Sequence, residues 1–113
     1  MTEADISLLL KPILPGKVFP YVVPQPPKKQ SVTAPWCVFS LYSIDQDVLN
    51  GQAGQLNTLQ IDVYALNIDP AREIRDKARI ALMPLKPTQL SETNSYESDT
   101  GLYRATLECQ VWQ

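Results

Sequence analysis

The chain contains no histidine. That removes the commonest general base and the commonest neutral metal ligand together, and with them any Ser–His or Cys–His nucleophilic pair. Only two cysteines are present, Cys37 and Cys109, too few for a metal site built from thiolates alone. The four glycines, Gly16, Gly51, Gly54 and Gly101, are scattered, so no glycine-rich phosphate loop exists. No apolar run approaches the roughly 20 residues that span a bilayer. The opening MTEADISLLLKP lacks a basic start and a cleavage site, so the expectation is an intracellular protein in the cell that makes it, with no membrane partner. Neither sign of charge dominates: 10 basic residues face 12 acidic ones, net −2. General affinity for nucleic acid or anionic membranes is not indicated.

What is present fits one globular domain over residues 1–113, with 44% hydrophobic and 19% charged residues. Of the 10 prolines, all but Pro70 gather between Pro12 and Pro35 and between Pro84 and Pro87, which implies long loops. Both cysteines fall inside strand-like segments. A disulfide is conceivable there, but buried free thiols acting as small hydrophobes are the better reading for an intracellular chain.

The stretch Leu56–Leu85 carries the most consistent local signal. Leu59, Ile61, Val63 and Ala65 alternate with Thr58, Gln60, Asp62 and Tyr64, the period of a strand with one face in a core. Asp69 is a candidate helix cap and Pro70 suits the first helical position. The helix predicted over about 70–83 places Ile74, Ala78, Ala81, Leu82 and Leu85 on one side. Arg72, Glu73, Arg75, Asp76, Lys77 and Arg79 cover the other.

Before that stretch, Thr2-Glu3-Ala4-Asp5 resembles a capping box and opens a short helix over about 3–11. Val18–Val23 looks extended, with Pro20 confining it to an edge or a non-strand path. Pro24–Pro35 has no hydrophobic period and reads as a connector of polyproline character. Trp36–Ile44 is a strand rich in aromatic and β-branched residues, Cys37, Phe39 and Leu41 facing one way and Val38, Ser40 and Tyr42 the other. Asp45–Gln55, with its Asn50-Gly51 and Ala53-Gly54 turn signals, reads as a long protruding loop joining strands 36–44 and 57–65 into an antiparallel hairpin. Lys86–Gly101 reads as a second long polar loop with at most a short strand at Thr88–Ser91. Leu102–Trp112 alternates again, Tyr103, Ala105, Leu107, Cys109 and Val111 on one face. The fold class is therefore α+β, a small domain of strands and two helices.

Catalytic and metal-binding constellations do not survive weighing. Asp45-Gln46-Asp47 has oxygen ligands suited to calcium but lacks the remaining loop positions and the closing Glu. Asp62 and Glu108 sit on polar strand faces where solvated charges are the simpler account of them. The mixed signs on the helix mark a solvated or interfacial face. No cofactor, metal or enzymatic activity is expected. Trp36, Tyr64, Tyr96, Tyr103 and Trp112 exceed the needs of a small core. Tyr64 and Trp112 fall on outward strand positions, where protein–protein anchors and a satellite core under a loop are equally open readings.

An N-terminal helix and a proline-rich connector lead into WCVFSLYS; LQIDVYA then runs straight into a charged helix, and the chain closes on YESDTGLYRATLECQVW. This combination resembles the tail completion (tail terminator) proteins of long-tailed bacteriophages, the group typified by the terminator of lambda-like tails, over essentially the whole chain. That resemblance implies an α+β fold in which a twisted antiparallel sheet packs against two helices, and assembly as a ring, hexameric in the family, at the head-proximal end of the tail. The ring would bind the last layer of tail-tube protein, stop polymerisation and present a surface to the head connector. It implies location in the virion neck after assembly in the host cytoplasm. DNA would pass through the lumen, where an acidic pI near 5.0 would limit sticking. The family has no catalytic residues to carry across. A ring needs two different patches per subunit. Candidate contact residues are Arg72, Arg75 and Arg79 on the helix, Asp47 and Asn50 in the first loop, Tyr64, and Glu97 and Asp99 in the second. Arg75→Glu is expected to leave folding intact and weaken assembly, whereas Ile61→Asp is expected to unfold the domain. The alternative is a non-enzymatic adaptor binding a protein partner through its Pro24–Pro35 segment and loops.

Overall fold

A computed structural model describes residues 2–23, 33–48 and 51–112, with 44–48 and 51–55 placed by backbone alone. Helix α1 spans Glu3–Leu10 and continues into a 3₁₀ turn at Lys11–Ile13. Its N-terminus carries the reciprocal half of a capping box, the Thr2 N–H donating to Asp5 Oδ2 at 2.9 Å. Five strands follow around a second helix: β1 Val18–Pro20, β2 Trp36–Val48, β3 Gly51–Ala65, α2 Ile68–Ala81, β4 Thr88–Glu97 and β5 Leu102–Trp112. The sheet order is β1-β2-β3-β5-β4. Neighbours among β2, β3, β5 and β4 pair antiparallel, and β1 adds parallel to β2 at one edge.

Register follows the period-two pattern. The rows Cys37–Val63–Ala105, Phe39–Ile61–Leu107 and Leu41–Leu59–Cys109 cross the central strands on one face. Ile6 and Leu10 of α1 and Ala71, Ala78 and Leu82 of α2 close over that face, and all five are buried. This α+β arrangement, two helices packed on one side of a five-stranded sheet, is the expected fold class, and the parallel β1 makes the sheet mixed where the expectation is a wholly antiparallel one. Cys37 and Cys109 are buried free thiols. They lie two strands and four residues of register apart, roughly 16 Å, beyond the reach of a disulfide.

The structure corrects four expectations. First, Asp45–Gln55 is not a long loop, because β2 and β3 keep pairing through Asp47↔Gln52 and Val48↔Gly51, with a register shift between Asp45 and Asp47. Backbone pairing needs no apolar alternation, which is why the polar sequence concealed it. Second, most of Lys86–Gly101 is the strand β4, and only the end at Ser98–Gly101 is a turn. Its side chains are almost all exposed, so it carries no burial signal.

Third, α2 begins two residues earlier than Pro70. Asn67 is its cap in extended conformation, without a side-chain cap bond. Asp69 and Pro70 occupy the first turn, where an acid suits the dipole and a missing N–H is harmless. Fourth, Arg75 does not belong to the outer face of α2. It is buried at 4% exposure, in the stripe Ala71–Arg75–Ala78–Leu82 that faces the sheet. Its guanidinium reaches past the core to the strand β4. Connector residues 24–32 lie outside the described residues, so the adaptor segment is not placed.

Candidate assembly surfaces

The sheet face opposite the helices is covered by no helix or strand among the described residues. On it lie the even-numbered residues of β3 and their neighbours: Trp36–Tyr64–Arg104–Ser95, Val38–Asp62–Thr106–Thr93, Ser40–Gln60–Glu108–Ser91 and, towards the hairpin, Leu56–Trp112. The sequence alternation fixes these side chains outward because their odd-numbered partners are needed in the core.

A polar network runs through the middle of this face. Asp62 accepts from Thr106 Oγ1 at 2.6 Å and from Gln60 Nε2 at 2.9 Å. Arg104 Nε stands 3.9 Å from Asp62 Oδ1, and its Nη1 lies 3.6 Å from Glu97. Arg104 Nε also donates to Ser95 Oγ at 3.1 Å. Desolvation raises the Tyr64 hydroxyl above its ordinary range, opposed by the adjacent Arg104. Hydrogen bonding to Tyr64 in turn raises Arg104, which stays a fixed cation. Beside the network Trp36 and Tyr64 pack with ring centroids 5.7 Å apart. Trp36 Nε1 is buried without a hydrogen-bond partner.

Asp62 and Glu108 are not directly opposite, since Asp62 pairs with Thr106 and Gln60 with Glu108. The carboxylates differ too: Asp62 is buried and Glu108 exposed. A chemical pair is not formed. Among the described residues no group of three or more His, Cys, Asp or Glu is placed to hold a metal ion. No described helix is long and apolar enough to cross a membrane.

The candidate contact residues fall into separate regions. Arg72 is exposed on α2, and Arg79, with its side chain 44% exposed, pairs with Glu92 at 3.8 Å. Both lie on the helix side of the sheet. Arg75 is withdrawn from this group by its burial. Tyr64 and Glu97 are brought together on the open face through Arg104. Asp99 is exposed in the β4–β5 turn, which Leu102 closes with a backbone bond to Thr100 Oγ1. Asp47 lies in β2, placed by backbone alone, and Asn50 lies outside the described residues.

Sheet register separates the last two regions. Trp112 of β5 pairs with Leu56 at the hairpin end, and Tyr103 pairs with Ala65 at the other. The β2–β3 arm and the β4–β5 turn therefore occupy opposite ends of a molecule 53 Å long. Asp62, Thr106 and Arg104 were missed as a unit. Their shared outward parity was readable, but the cross-strand register that joins them was not.

Comparison with families of known proteins and with curated sequences gave no match to this chain.

Proposed function

We propose that the chain is a non-enzymatic structural subunit of the tail-terminator type. It forms a ring on the head-proximal end of a phage tail tube, halts addition of tube protein and offers its opposite side to the head connector. The observation that carries this reading is the two-ended layout of the molecule. An arm of two strands runs past Leu56↔Trp112, where β5 ends, while the Ser98–Gly101 turn with Asp99 marks the far end of the same sheet. A capping ring needs two axial contact regions of this kind, one for the tube and one for the connector, with lateral contacts between them.

The lateral requirement has support as well. A cyclic assembly uses two different patches per subunit, and the sheet offers a helix-covered side bearing Arg72 and Arg79 and an opposite side bearing Tyr64, Arg104 and Trp112. The element order, helix then hairpin then helix then two strands, accords with the resemblance seen in the sequence. DNA passing the lumen would meet a subunit of slight negative charge.

The test is to add purified protein to polymerising tail-tube protein and measure tube length by electron microscopy. Shortened tubes bearing a ring at one end are expected. Unchanged lengths, with the protein remaining monomeric in the mixture, would overturn the reading.

A further inference from the structure

The geometry points to a second copy of this chain as the partner of β4's outer edge, which pairs with the outer edge of that copy's β2. This rests on the ring reading and names the contact between neighbouring subunits.

The sheet ends in two unequal edges. At one, β1 covers β2 only from Cys37 to Phe39. The Cys37 N–H donates to Lys17 O, and Phe39 O accepts from the Tyr21 N–H, so these residues turn their backbone groups outward. Strand alternation turns those of Leu41 and Ser43 the same way. The Tyr21 hydroxyl lies 3.0 Å from Leu41 O, and past it no strand flanks β2 among the described residues. At the other edge, β4 pairs with β5 alone among the described residues.

Edges left open are normally blunted by lysine, proline, bulges or unpaired inward charge. The β4 edge has a blunting device only at its start, where the register shifts between Thr88 and Ser91 and Gln89 has φ of 52°. From Ser91 to Glu97 pairing with β5 is unbroken, and the stretch SETNSYE has neither lysine nor proline. Its two acids are neutralised within the chain: Glu92 by Arg75 at 3.4 Å and Arg79 at 3.8 Å, Glu97 by Arg104 at 3.6 Å. The edge is thus extended and charge-balanced over roughly 20 Å.

Direction favours this copy of β2 over a second β4. Along the sheet β2, β3, β5 and β4 alternate in direction, so the next strand in sequence of alternation runs as β2 does. Placing β2 of a neighbour there continues an antiparallel sheet from subunit to subunit. Such a contact is head-to-tail, leaves only the short β1 edge unpaired in a closed ring, and uses different surfaces on the two partners.

Residue-resolved amide hydrogen exchange on the full chain tests this, comparing dispersed protein with protein assembled alone at high concentration and on tail-tube protein. Alternate amides of Ser91–Glu97, together with Leu41 and Ser43, are expected to lose their fast exchange on assembly. Mixed Tyr42→Cys and Thr93→Cys proteins should form a disulfide-linked pair that neither forms alone. A ring that binds tubes while β4 amides exchange as in the monomer would overturn the edge contact and leave the terminator reading standing. Protected edges in rings that ignore the tube would do the reverse. Failure to assemble in either setting would overturn both.

Discussion

The guanidinium of Arg75 donates to Asn94 Oδ1 at 2.7 Å and to the Thr93 carbonyl at 2.9 Å, so one helix residue holds the exposed strand β4 to the sheet. Glu92 stands 3.4 Å away on the same strand. Without this clamp the polar inner side of β4 would have no partner on α2 except Arg79.

Arg75→Ala should therefore destabilise the fold by about 2–4 kcal/mol, and Arg75→Glu by more, because buried charge and hydrogen bonds are lost together. Urea unfolding monitored by circular dichroism measures it. A stable, assembly-defective Arg75→Glu protein, the outcome expected of a residue on the outer helix face, would contradict the clamp. Arg72→Glu, on the exposed flank, should leave stability within about 0.5 kcal/mol.

Ile61 is fully buried between Phe39 and Leu107. Ile61→Asp should yield no cooperative thermal transition, and Ile61→Ala should cost about 2–5 kcal/mol. A soluble Ile61→Asp protein with native near-ultraviolet dichroism would reverse the assignment of the sheet's faces.

Asp62→Ala leaves the Thr106 hydroxyl and the Gln60 amide without their acceptor on the open face. A loss of about 1–3 kcal/mol is expected, with Asp62→Asn milder because an amide oxygen can still accept. Chemical denaturation of the two variants gives the comparison. Equal stability of both to the parent would mean the network contributes nothing to folding.

The pH dependence of stability is set at its alkaline end. Burial pushes the Cys37 thiol up to about 12 and the Cys109 thiol up to about 11, from an ordinary value of 9.0. A raised folded value means the fold favours the protonated thiol. The stabilisation is complete below pH 9.0 and is lost as pH rises towards 11 and 12. With no histidine, unfolding free energy should be nearly flat from about pH 6 to 8. Calorimetry across pH checks both, and Cys37→Ala should flatten the alkaline slope.

The alternating strands and the amphipathic helix were legible because burial imposes a period on sequence. Leu59 to Ala65, Ala105 to Val111 and the Cys37–Leu41 face all appear where the period put them. The strand β4 was not legible, since an edge strand exposed on both faces selects for no alternation. The β2–β3 arm escaped notice for the same reason, and turn signals at Asn50-Gly51 and Ala53-Gly54 competed for the position of the bend. Position 75 was readable: it falls four residues after Ala71 and three before Ala78. The charge of an arginine argues for solvent, but its length lets the head group leave an apolar stripe for β4.

The chain's two tryptophans share the sheet face opposite the helices, and neither enters the core under the helices. Trp36 stands opposite Tyr64 and Trp112 opposite Leu56, roughly 27 Å apart along β3. Intrinsic fluorescence of this protein is consequently a surface reporter with two widely spaced stations, one half-buried beside a tyrosine and one open to solvent. Changes beneath the helices would leave it nearly silent, while contacts at either tryptophan would be seen end by end, and Trp36→Phe and Trp112→Phe would tell which end was touched.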